Sequence, residues 1–143
     1  MKKILILILC CILMSVILIG CEDSQNTNNS GKNISADEIN SISGELGENE
    51  ILQEVSTKNR EIDLKFNLGN KTDRLTMEDL AYSRYSSVTD YLLNTGKWDV
   101  ITVDFINVGK ITMNISEAVS QNISGKEEKH FPLETIMKKF QKY

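Results

Sequence analysis

Few side chains in this sequence could do chemistry, and they are scattered. His130, followed by Phe131-Pro132, is the single histidine. Acid–base catalysis by an imidazole needs a reacting partner within hydrogen-bond reach, and no Ser or Cys stands nearby in a nucleophile-elbow context. His130 therefore reads as a solvated loop residue. Asp99 and Asp104 share one predicted strand but lie five residues apart, so they project to opposite faces and cannot cooperate as acid and base. Arg84 falls at the centre of the apolar stripe of a predicted helix, between Tyr91 and Val88. Either its stem covers apolar surface while its head reaches water, or it pairs with Asp63, Asp99 or Asp104 and forms an anion-binding or ion-pair site. Tyr82, with Thr89 and Leu93, makes a small patch on the far side of the same helix. That patch suits a protein or glycan contact, or packing against residues 34–46 or the final helix. No HExxH, CxxC, P-loop or GxGxxG pattern occurs, so neither a metal nor a cofactor is expected.

The thiols are more informative. Cys10 and Cys11 lie inside residues 4–19, an apolar run interrupted only by Ser15 and preceded by Lys2-Lys3. Leu18-Ile19-Gly20-Cys21 ends the run, and Glu22-Asp23-Ser24-Gln25-Asn26 follows at once. A positive start, an apolar middle and a small residue before a polar boundary make a secretory signal. These residues also resemble the lipobox of bacterial lipoproteins, in which an aliphatic residue, a small or aliphatic residue and Gly or Ala precede Cys. The resemblance implies cleavage between Gly20 and Cys21, acylation of the Cys21 thiol and its new amine, and anchoring on the extracytoplasmic face of a cell membrane. Heavy use of Asn, Ile, Lys and Ser suggests a low-GC Gram-positive bacterium. An uncleaved membrane helix over residues 4–21 is the alternative, at the short end for a span.

Cleavage would remove Lys2 and Lys3, leaving 14 of the 16 basic residues against 20 acids, a net charge of −6. The excess is local: residues 22–54 hold eight acids and one base, Lys32. No basic stripe is present, which argues against a nucleic-acid partner. Loss of Cys10 and Cys11, and use of Cys21 by lipid, would leave a domain without thiols or disulfides. Three Asn-Ile-Ser triplets, at Asn33, Asn114 and Asn122, match a glycosylation sequon; behind a bacterial signal they read as coincidence in an Asn-rich chain.

The expected organisation is a signal peptide (1–20), a disordered tether (21–33), a weak helical or linker segment (34–54) and a small α+β domain (55–143). The tether contains no apolar residue from Glu22 to Asn33 and would span roughly 20 Å as a flexible chain. Ser35 and Glu38 form a capping-box pattern, with Ile34 and Ile39 as its staple. Residues 60–68 alternate polar and apolar, placing Ile62, Leu64, Phe66 and Leu68 on one strand face, whereas residues 50–57 fit a strand or a helical turn. Thr76 and Asp79 open the clearest helix, and Gly96 closes it. Residues 98–106 are apolar on both parities, as in an interior strand. Asn107-Val108-Gly109 is expected as a hairpin turn with the glycine left-handed, followed by a strand over 110–115. Residues 116–130 suggest a helical turn and a loop. Pro132 starts a last helix whose apolar face carries Leu133, Ile136, Met137 and Phe140.

The expected fold is a sheet of three or four strands with helices packed on one face, in the order β-α-β-β-α after the tether. The expected function is that of a lipid-anchored lipoprotein working as a non-catalytic binding module, with a protein or cell-wall partner. A small envelope-acting enzyme or hydrolase inhibitor using Arg84 and Asp104 in a cleft is one alternative. A subunit of a larger envelope or mobile-element assembly is another.

Overall fold

A computed structural model describes residues 28–30, 34–70 and 74–143. The expected signal, Gly20 and Cys21 lie outside them. In chain order the elements are β1 (Asn28–Ser30), α1 (Ala36–Gly44), β2 (Ile51–Lys58), β3 (Glu61–Asn67) and α2 (Met77–Thr95). There follow β4 (Val100–Phe105), β5 (Gly109–Asn114), a 3-10 turn (Ile115–Glu117), β6 (Val119–Ile123), β7 (Lys126–His130), α3 (Leu133–Lys139) and β8 (Gln141–Lys142). The chain is a mixed α/β protein with three helices and a five-stranded sheet ordered β2-β3-β4-β5-β8; β1, inside the expected tether, lies parallel to the free edge of β2. No helix among the described residues is long and apolar enough to cross a membrane.

Local chemistry explains most boundaries. Ser35 and Glu38 satisfy each other's backbone N–H groups at the start of α1, as Thr76 and Asp79 do for α2. These reciprocal bonds occupy donors that a helix start otherwise leaves open. Gly96 ends α2 in the left-handed conformation at φ 65°, which costs a glycine little. Strand β2 hides its own pattern. A register shift between Leu52 and Glu54 inserts one residue, so Leu52 and Val55 both turn inward although they differ in parity. That bulge is why alternation could not decide residues 50–57, and it places the expected segment boundary at 54 inside a strand.

Strands β3 and β4 pair in parallel across the α2 crossover, while β2–β3 and β4–β5 are antiparallel. Ile62, Leu64, Phe66, Ile101, Val103, Phe105, Ile111 and Met113 are buried on the core side. The other parity carries a ladder of alternating charge: Glu54 opposes Lys65, Lys65 opposes Asp104, and Asp104 opposes Lys110. Opposite charges on neighbouring strands stabilise such a face modestly and leave it electrically balanced.

Five expectations change. The sheet has five strands where three or four were expected, because α3 stops at Lys139 and the chain end, expected as helix, returns as β8 beside β5. Residues 116–130 form a 3-10 turn and the β6–β7 hairpin rather than a helical turn and loop. The hairpin loop has Ser124 and Gly125 both at positive φ, 54° and 84°, as a two-residue primed turn requires. Its strands are almost wholly exposed, so no buried face betrayed them. In the β4–β5 turn the left-handed residue is Asn107, at φ 60°, not Gly109. Gly109 serves close approach instead: a Cβ there would sit 2.4 Å from Cζ of Phe140. Helix α2 is buried over a wider arc than its stripe, including Thr89 and Leu93, because the β7 strand and α3 also pack against it. In α3, Ile136 is buried whereas Leu133 and Met137 are exposed, since that short helix meets the body along a narrow line.

Candidate functional site

Arg84 makes the buried ion pair that its position suggests, with a partner outside the expected set. Its Nε donates to Oε2 of Glu50 at 2.5 Å, and the two side chains are only 24% and 6% exposed. Glu50 lies in the connection between α1 and β2, which the fold brings over the middle of α2. The three expected aspartates are elsewhere. Asp99 accepts from Nε of Arg60 at 2.8 Å, Asp104 accepts from the Tyr143 hydroxyl at 2.9 Å, and Asp63 lies with Asp104 in a shallow depression on the charge-ladder face. Arg84 and Asp104 therefore do not converge, and the cleft that the enzyme alternative required is not formed by them. Tyr82 is half-buried, its ring edge-on to Phe140 at 5.2 Å, so the chain end occupies much of the proposed contact patch.

A second ion pair holds α1. Nζ of Lys97 lies 2.9 Å from Oε2 of Glu38. Burial works to raise the Glu38 carboxyl, but hydrogen bonds from Lys97 and from the Ser35 backbone outweigh it and leave the group below its ordinary value.

His130 borders a cleft of about 220 Å³ between α2 and the β6–β7 hairpin, together with Ser86, Asp90 and Glu128. The Asp90 carboxyl is raised mainly by burial; His130 opposes the shift, and Glu128 and Glu45 add to it. One Asp90 oxygen, Oδ1, is buried without a hydrogen-bond partner. No hydrogen bond joins Ser86, Asp90 and His130 in this structure, so they do not form the linked nucleophile, base and orienting group of covalent catalysis.

A larger cleft lies elsewhere, at about 450 Å³, within the usual range for small-molecule sites. It opens where the parallel strands β3 and β4 end and α2 begins, a place where α/β folds commonly seat ligands beside the carboxyl ends of strands. Asn67 lines it at the end of β3 and Asn70 just beyond, Thr76, Met77 and Glu78 at the start of α2, and Ile106, Asn107 and Val108 after β4. Lys142 and Tyr143 close one side from the chain end. Lys142 is hydrogen-bonded to Glu78; that bond, with the carboxylate's charge, raises the ammonium above its ordinary value. The Asn67 side-chain oxygen accepts from the Gly69 N–H at 2.9 Å, which shapes the loop leaving β3. Among the described residues no group of three or more His, Cys, Asp or Glu could hold a metal ion.

Sequence reasoning named none of these cleft residues as a site. The available signal was the clustering of asparagines at the ends of two predicted strands, Asn67, Asn70 and Asn107. That signal became meaningful only once β3 and β4 were known to be parallel neighbours, which puts both ends on the same side. No protein family model, curated protein or solved structure matches this chain.

Proposed function

We propose that this chain is a lipid-anchored, extracytoplasmic bacterial lipoprotein whose α/β domain works as a non-catalytic binding module. The observation that carries the reading is the sequence Leu18-Ile19-Gly20-Cys21 at the boundary between an apolar and a strongly polar segment. The cleft at the ends of β3 and β4 supports the binding half: it is concave and mixed in polarity. In this reading the helices share one face of the sheet, the charge ladder faces water, and the strand-end cleft meets the ligand. Acyl chains on Cys21 supply the membrane attachment, since the acidic front of the mature chain gives anionic lipid nothing to attract.

Metabolic labelling tests the anchor. Labelled palmitate should enter the wild-type chain and not Cys21→Ser, and the variant should leave the membrane fraction. Absence of label from the wild type, or unchanged fractionation of the variant, refutes the anchored reading.

A further inference from the structure

The order of charges on the polar side of the sheet has a consequence for association. Read across β2, β3, β4 and β5, one row runs Glu54, Lys65, Asp104, Lys110: negative, positive, negative, positive. With Ser56, Asp63 and Thr102 these side chains line one shallow depression, so they share a surface. The Glu54 and Lys65 side chains keep 46% and 42% of their exposure while lying 3.6 Å apart, which leaves each able to take a second partner. An alternating row of even length is its own complement when turned end for end. A two-fold axis along the strands, midway between β3 and β4, therefore sets Glu54 of one copy against Lys110 of the other, and Lys65 against Asp104. All four contacts in the row then join opposite charges. An axis along the row itself would set every charge against its own kind, so the pattern selects an orientation as well as a partner.

The neighbouring row fits the same axis. Its members are Ser56, Asp63, Thr102 and Thr112, so Asp63 of one copy faces the Thr102 hydroxyl of the other, and a hydroxyl can donate to a carboxylate. Stacked sheets cross at about 30°, and half a row spans about 7 Å. The outer charges would thus be displaced by roughly 4 Å, within reach of lysine and glutamate side chains. The four-strand face is only about 14 Å wide, a few hundred Å² against the roughly 800 Å² per partner of a standard interface. Such a contact is weak and sensitive to salt.

We infer that the polar face of the sheet is a self-association surface, on which a second copy of this chain pairs Glu54 with Lys110 and Lys65 with Asp104 about a two-fold axis along the strands. The inference stands apart from the anchor, although two chains held in one bilayer would meet at a higher effective concentration.

The test uses the full-length chain in density-matched detergent. Sedimentation equilibrium should show a monomer–dimer equilibrium at low salt that weakens at least about fivefold when salt rises tenfold. Zero-length carbodiimide crosslinking should join Glu54 to Lys110 in the dimer. Within one copy these residues stand three strand spacings apart, about 14 Å, so that link forms only between copies. Lys65→Glu and Asp104→Lys each create two like-charge contacts and should weaken self-association about tenfold or more. Mixed together, the two variants regain four opposite-charge contacts, and their heterodimer should form within about threefold of wild-type affinity. Circular dichroism establishes that each variant is folded, and the wild-type crosslink and salt dependence are read without them. A chain monomeric at every concentration overturns the inference. So does a dimer without the Glu54–Lys110 link, undiminished association of Lys65→Glu, or a mixture no tighter than either variant alone. Palmitate labelling reports on the anchor separately, so either proposal can fail while the other holds.

Discussion

Replacing Arg84 with Met should destabilise this domain more than most single changes could, and the structure indicates by how much. Glu50 is 6% exposed and Arg84 24%. Removing the guanidinium would strand a carboxylate in a site that water barely reaches. Breaking a fully buried ion pair in this way costs roughly 3–5 kcal/mol. Arg84 retains a quarter of its exposure, so water enters more easily and about 2–4 kcal/mol is the expected loss. For a domain of this size that corresponds to a fall in Tm of roughly 10–25 °C. The double variant Arg84→Met with Glu50→Leu removes both charges and fills the space with apolar atoms. It should recover to within about 1 kcal/mol of wild type, because most of the single-variant cost is the orphaned charge and not a lost attraction. Urea unfolding followed by the fluorescence of Trp98, the single tryptophan and only 3% exposed, measures all four corners of the cycle. A single variant within about 0.5 kcal/mol of wild type, or a double variant no more stable than Arg84→Met, would refute the reasoning.

Asp90→Asn should raise Tm at neutral pH by the equivalent of roughly 1 kcal/mol, since it removes a desolvated charge whose Oδ1 has no partner. The sign follows from the raised carboxyl: the folded state holds its proton more tightly than the unfolded chain, so wild type is penalised above the folded value and relieved as pH falls through it. The advantage of the variant should thus fade toward acid pH, and an advantage independent of pH would disprove the assignment. Tyr85→Phe should cost about 1 kcal/mol in the same urea assay, by deleting the buried bond from the Tyr85 hydroxyl to the Ile101 carbonyl at 3.1 Å. An unchanged midpoint would mean that this bond is not made in solution.

Legibility in the sequence followed the range of the forces involved. The capping pairs Ser35–Glu38 and Thr76–Asp79 act over three residues, and both are present as expected. The alternation of Ile62, Leu64, Phe66 and Leu68 is equally local, and all four are buried. Strand β2 failed to declare itself because its bulge mixes parities, and the β6–β7 hairpin because it has no buried face to write a pattern. Arg84 was legible as an anomaly in an apolar stripe, but Glu50 was not legible as its partner. Thirty-four residues separate them, and only the path of the α1–β2 connection over α2 brings them together.

Two kinds of information thus divide this protein. Residue types and spacing alone determined the anchoring expectation at Cys21, the start of α1, both ends of α2 and the inward faces of β3 and β4, because each depends on neighbours along the chain. Tertiary structure alone decided which charges pair and where a ligand could sit. The parallel crossover set Asn67 and Asn107 at one end of the sheet, and the return of the chain end along β5 placed Lys142 and Tyr143 beside them. Such a site is a property of topology, since its members meet only after loop closure has brought distant segments into register.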